Sequence, residues 1–117
     1  MHTSFDTKDF ITEFARYKKF FRKPKNLIRI YASNGKIEFA SFSPRTKIEI
    51  GSFVNANTPE SGEVTLNFPA ANFYDMCETI STQYPNNSIL KLSVAKSNTS
   101  LSITSESAKY NLPILQK

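Results

Sequence analysis

Phe10, Phe14, Tyr17 and Phe21 recur at spacings of 4, 3 and 4 residues, one face of a 3.6-residue period. The spacing predicts a helix over residues 6–23. Asp6 or Thr7 serves as N-cap, Asp9 stands in the first turn and Pro24 ends it. The period then changes to two. Leu27 to Ser33 and Lys36 to Phe42 are β-rich runs joined by Asn34-Gly35, the pair that a type I′ hairpin turn favours because both positions need positive φ. A turn at 43–46 leads into 47–53, where Ile48 and Ile50 alternate with polar residues, and 54–62 has the composition of a loop. Val64, Leu66 and Phe68 share one side of a strand that Pro69 stops. Pro69 is expected as the first residue of a second helix over 70–83, with an apolar stripe of Phe73, Met76, Cys77 and Ile80 extended to Tyr84. Runs at 89–96 and 100–106 pair across 97–99, and 109–115 closes the pattern.

The two halves match each other. A shift of 64 places Ser33-Asn34 on Ser97-Asn98, Ile28 and Ile30 on Leu92 and Val94, and Ile37 and Phe39 on Leu101 and Ile103. The same shift sets Ile48 and Ile50 on Leu112 and Ile114. A shift of 63 sets Phe10, Phe14, Tyr17 and Phe21 on Phe73, Cys77, Ile80 and Tyr84. This is a duplicated unit, since a solenoid requires more and shorter repeats. The expected class is α+β, one domain over 1–117 with halves of roughly 1–53 and 63–117 and the loop 54–62 between them. Each half supplies one helix across antiparallel strands. A pseudo-two-fold then puts both helices on one face of the sheets, and the terminal strands become sheet edges.

Charge adds a second pattern. The net charge is +5, and its distribution is uneven. Lys8, Arg16, Lys18, Lys19, Arg22, Lys23 and Lys25 stand against Asp9 and Glu13 between residues 8 and 25, while the remainder holds eight basic and eight acidic residues. The whole excess lies in the first helix and the turn after it. With about 100° per residue and Phe10 at zero, the other three aromatics fall within about 40° of it. Lys8, Arg16, Lys19, Arg22 and Lys23 fall between about 120° and 240°, opposite the aromatic stripe; Lys18 and Lys25 lie nearer the apolar side and snorkel. The band runs along roughly 27 Å of helix. Tyr17 and Phe21 belong to the buried stripe, while Phe20 stands off it at about 280°.

Other chemistry is sparse. The single cysteine, Cys77, lies on an apolar stripe and reads as a small core residue; a lone thiol fits a reducing, cytoplasmic setting. The only histidine is His2. There is no metal-ligand cluster, no phosphate-binding glycine loop and no nucleophile–base pair, so no enzyme, cofactor or small-molecule substrate is expected. No apolar run approaches membrane-spanning length, and "MHTSFDTKDF" lacks the regions of a secretory signal.

Taken together, "LIRIYASNGKIEFASFSPRTKIEI", "GEVTLNFPAANFYDMCETI" and "LKLSVAKSNTSLSITSESAKYNLPIL" resemble a single domain of the bacterial DNA polymerase III beta sliding clamp. The second segment is similar to that family's strand–Pro-Ala–helix passage, and the Leu-Pro after the last strand to its closing hairpin. The resemblance implies a DNA-clamp fold, strands outside and helices lining the hole of a ring around DNA, and no catalysis. It implies DNA contact through the outward face of the first helix: Lys8, Arg16, Lys19, Arg22, Lys23 and Lys25. Such contact is independent of base sequence and salt-sensitive. This is the role of a processivity factor, accessory to DNA replication or processing, and the chain's brevity points to a mobile element.

The chain departs from the family in two ways. It matches one domain of a multidomain subunit, so a closed ring requires a homo-oligomer of about six copies. The second helix offers Asp75 and Glu78 and no lysine or arginine between Pro69 and Asn87, which would make a pore lined by both helices only half basic. The family's pocket for partner peptides lies at a join between domains and is not carried over. The alternative reading is an adaptor or inhibitor that pairs through its sheet edges, Val64, Leu66 and Phe68 or Tyr110, Leu112 and Ile114, with another sheet such as a host clamp.

Overall fold

The computed structural model describes residues 1–94, 97–106 and 108–116. The chain runs β1 (His2–Asp6), α1 (Thr7–Phe14), a 3-10 turn (Ala15–Tyr17), α2 (Lys18–Phe21), β2 (Leu27–Ser33), β3 (Lys36–Phe42), β4 (Glu49–Asn55), β5 (Asn57–Glu60), β6 (Gly62–Pro69), α3 (Ala70–Gln83), β7 (Ile89–Val94), β8 (Ser100–Thr104) and β9 (Lys109–Pro113). The expected α+β layout holds, with two antiparallel sheets and a helical layer. Strands follow the order β5-β1-β7-β8-β9 in one sheet and β4-β3-β2-β6 in the other.

The halves are interlocked, which the hydrophobic pattern did not indicate. β1 pairs with β7 of the second half, and β6 with β2 of the first. The helix starts repeat this exchange. The Thr7 N–H donates to the Ser88 carbonyl at 3.0 Å, and the Ala70 N–H to the Asn26 carbonyl at 2.9 Å. Each helix therefore begins on a backbone acceptor just ahead of a strand of the opposite half, satisfying a donor that a helix start leaves open. Asp6 caps α1 by accepting from the Lys8 N–H at 2.8 Å.

Several expectations need correction. The first helix is not continuous: α1 ends at Phe14 and a 3-10 turn precedes α2. No Gly or Pro marks that break. Pro69 is the N-cap of α3 rather than its first helical residue. Residues 2–6 are a strand, and 54–62 contain the end of β4 and all of β5. Ala95 and Lys96, in the run expected at 89–96, lie outside the described residues, as do Ser107 and Lys117.

The last strand of the repeat also shifts. Ile37 pairs with Val54, and Leu101 with Leu112, so Val54 rather than Ile48 occupies the position of Leu112. Val54 is buried, whereas Ile48 is 59% exposed. The β3–β4 hairpin pairs through to Phe42↔Glu49 and closes with residues 43–48; the β8–β9 ladder runs only to Thr104↔Lys109. The first hairpin thus projects farther than its counterpart. The repeat survives at the other turn, where Asn34 (φ 52°), Gly35 (φ 75°) and Asn98 (φ 59°) all adopt positive φ.

The core lies between the helices and the two sheets. Phe10 is fully buried, with six aromatic neighbours: Phe5, Phe14, Phe21, Phe39, Phe73 and Tyr74. Tyr74, absent from the expected stripe of α3, is buried against Phe10 and Phe21, while Tyr84 is exposed. Cys77 is buried, and burial holds its thiol well above the ordinary range, as expected for an inert core cysteine.

Candidate nucleic-acid interface

The aromatic stripe of α1 and α2 faces the core, so the cations on the other side are exposed. Lys8, Arg16, Lys18, Lys19, Arg22, Lys23 and Lys25 all reach solvent. They are not equally available. Arg22 is ion-paired with Asp75 and Lys18 with Glu78, the latter at 3.3 Å, so the acidic positions of α3 meet the flank of the basic helix. Arg16 pairs with Glu13, and its guanidinium lies 4.9 Å from the centre of the Tyr17 ring. Glu13 also accepts from the Ser52 hydroxyl at 2.6 Å. Those two donors, Ser52 first, hold its carboxyl below the usual range. Lys8 donates to the Pro85 carbonyl.

This leaves Lys19 and Lys23 outermost and Lys25 at the end of the row. Lys23 Nζ lies 5.3 Å from the Phe20 ring centre, and among the described residues no acidic group forms an ion pair with these three side chains. Pairing of the kind made by Arg22 and Lys18 is half exposed and weak, worth about 0–1 kcal/mol. The sequence pattern found the cations; it did not show which of them α3 engages, because Asp75 and Glu78 lie more than fifty residues away.

The nominated edges divide. β9, which holds Tyr110 and Leu112, ends the five-stranded sheet, with Tyr110 exposed and Leu112 buried. β6, with Val64, Leu66 and Phe68, ends the four-stranded sheet, but Ile114 and Leu115 lie on it. Ile114 forms a bridge with Leu66, and the Leu115 N–H donates to the Thr65 carbonyl at 2.8 Å. Val64 and Leu66 are buried in the core. β6 is thus partly covered, while the opposite edge of the same sheet is β4, the terminal strand of the first half, as expected. Among the described residues, no group of three or more His, Cys, Asp or Glu is placed to hold a metal, and no helix is long and apolar enough to cross a membrane.

No protein-family model matches the chain, and no curated protein matches it. Solved structures do. The DNA polymerase III beta sliding clamp of Bartonella birtlesii superimposes with a TM-score of 0.73 at 24% identity, over 100% of this chain and 30% of the clamp. The clamp of Caulobacter crescentus gives 0.76 at 18% identity, covering 98% and 30%. That of Pseudomonas aeruginosa gives 0.73 at 16%, again covering 98% and 30%. The chain spans about 30% of the length of the clamps it matches. Its fold is that of a single bacterial sliding-clamp domain.

Proposed function

We propose that the chain is a non-catalytic, sliding-clamp-like protein that contacts the DNA backbone without sequence preference through the exposed face of α1 and α2, as an accessory to replication or DNA processing. The observation that carries this reading is the ridge of Lys19 and Lys23. It is held outward by an aromatic stripe locked in the core, on a fold shared with sliding clamps. Arg16, Arg22 and Lys8 flank it, and Lys25 ends it. Phosphate contacts from such a ridge are sequence-independent, and affinity falls steeply with salt as counterions are released.

Copies assemble head to tail in this reading. β4 of one and β9 of the next, with Tyr110, Leu112 and Ile114 on or beside it, extend the sheets across the joint. The alternative adaptor uses the same β9 edge to pair with another clamp-like protein, and the exposed Tyr110 favours that edge over β6.

The test is duplex DNA binding by fluorescence anisotropy at low and moderate salt, with Lys19→Glu plus Lys23→Glu beside the parent. The double variant is expected to bind about a hundredfold more weakly, having reversed two phosphate-facing charges. Equal binding by both proteins removes the ridge as the DNA surface. Sedimentation at high micromolar concentration separates the two assemblies, since a strict monomer leaves only the adaptor.

A further inference from the structure

The four-stranded sheet turns one face to the core and the other to solvent, and the solvent face carries two aromatic rings. Tyr31 on β2 is 45% exposed and Phe53 on β4 is 49% exposed. Strand pairing sets them in one line. Glu63 lies opposite Tyr31, Tyr31 opposite Glu38, and Glu38 opposite Phe53, so carboxylates and rings alternate across β6, β2, β3 and β4. Residues opposite each other on neighbouring strands point to the same face. Tyr31, Glu38 and Phe53, with Ser33, Asn34 and Lys36, line a hollow of about 420 Å³.

The floor of the hollow is fixed. β2, β3 and β4 pair residue by residue from Leu27↔Phe42 to Ser33↔Lys36 and from Phe42↔Glu49 to Lys36↔Asn55. At its rim the Ala56 N–H donates to the Gly35 carbonyl at 2.8 Å, tying the end of β4 to the Asn34-Gly35 turn. The charges are unevenly engaged. Arg29, on the same face, is held by Glu49 and Glu63. Among the described residues Glu38 makes no ion pair. Lys36 Nζ lies 4.4 Å from the Phe53 ring centre, so this ring already presents its electron-rich face to a cation.

We propose that this row binds an arginine side chain from a basic segment of a partner protein, the guanidinium lying over Glu38 against the Tyr31 and Phe53 rings. Two strand spacings, about 9–10 Å, separate the strands that carry the rings. A planar group in contact with an aromatic on each side requires about 7–8 Å, so the space over Glu38 admits one guanidinium. Arginine both stacks on rings and donates to a carboxylate in a fixed fork, which suits this pairing of groups. Charge excludes the other occupants of an aromatic platform. A nucleic-acid strand would bring phosphates to a face bearing Glu38, Glu49 and Glu63, and an apolar surface would bury the Glu38 carboxylate without a partner. The row lies on the face of the sheet, so pairing through the β4 edge leaves it open.

The test is titration of a blocked Arg-Gly-Arg-Gly-Arg peptide into protein carrying carbon-13 in its aromatic rings, followed by nuclear magnetic resonance. The Tyr31 and Phe53 ring signals are expected to shift together, with affinity about threefold weaker when lysine replaces arginine in the peptide. Tyr31→Leu, which keeps an apolar side chain but removes the ring, is expected to weaken binding about threefold, and Glu38→Gln about fivefold. Lys36→Gln removes the resident cation and is expected to tighten it about threefold. All three positions are exposed, and circular dichroism verifies that each variant is folded. The proposal is overturned if millimolar peptide leaves both ring signals unmoved, or if Tyr31→Leu or Glu38→Gln binds as well as the parent. It is equally overturned if Lys36→Gln weakens binding, or if oligothymidylate shifts these rings and the peptide does not. The Lys19→Glu plus Lys23→Glu variant is expected to bind the peptide within about twofold of the parent, so failure of the DNA ridge and failure of this site are distinguishable.

Discussion

Phe10 shows how much of the tertiary structure rests on single aromatic positions. Its ring centre lies 4.6 Å from that of Phe14, 5.0 Å from Phe39 and 5.7 Å from both Phe73 and Tyr74. These residues come from both helical segments and a strand, so one side chain joins the helical layer to the sheet below. Phe10→Ala removes a fully buried ring and leaves a cavity whose walls belong to several elements. We expect a loss of about 3–5 kcal/mol, read as a lower urea midpoint with unchanged slope. A loss under about 1 kcal/mol would mean that the cluster collapses freely around the gap. Phe10, Phe14 and Phe21 were legible from spacing alone. Tyr74 was not, because its burial depends on α1 and α2 lying beside α3, and one helix's period cannot report its neighbour. Ile48 misled for a related reason: it alternates correctly, but the alternation continues past the point where the sheet covers it.

At the scale of elements, the contact between α2 and α3 sets how much positive charge faces outward. Asp75 and Glu78 of α3 draw Arg22 and Lys18 sideways, so the basic face is partly neutralised from within. Asp75→Asn with Glu78→Gln releases both cations. If α1 and α2 contact DNA, the double variant binds duplex about three- to tenfold more tightly at low salt, and the gain fades as salt rises. Its thermal stability changes by no more than about 1 kcal/mol, since the pairs are half exposed. Unchanged duplex affinity would show that these carboxylates do not compete with phosphate. The Asn34-Gly35 hairpin and the bounds of α3 follow from local sequence, because turn chemistry and helix period act within a few residues. The strands β1 and β5 do not. Each is short and polar, with little alternation, and is held as a strand by the neighbours it pairs with.

For the whole molecule, the exchange of β1 and β6 between halves makes the pseudo-repeat a single cooperative unit. A fragment of residues 1–61 would leave β1 without β7, and one of 62–117 would leave β6 without β2. We expect each fragment to be unfolded by far-ultraviolet circular dichroism and the mixture to regain sheet signal. A cooperative thermal transition in either fragment alone would show that a half folds without its exchanged strand. The same exchange forces the two helices side by side, since each starts on a carbonyl at the opposite half's first hairpin.

Local order was set by sequence alone: the two helical regions, the hairpins, the duplication and the concentration of charge in one segment all depend on contacts or periods spanning a few residues. Strand exchange between halves, the pairing of Arg22 and Lys18 with α3, the partial cover over β6 and the exposure of Ile48 on the projecting β3–β4 hairpin were decided only in three dimensions. Each joins residues far apart in the chain, where packing and backbone pairing choose partners that no local pattern encodes.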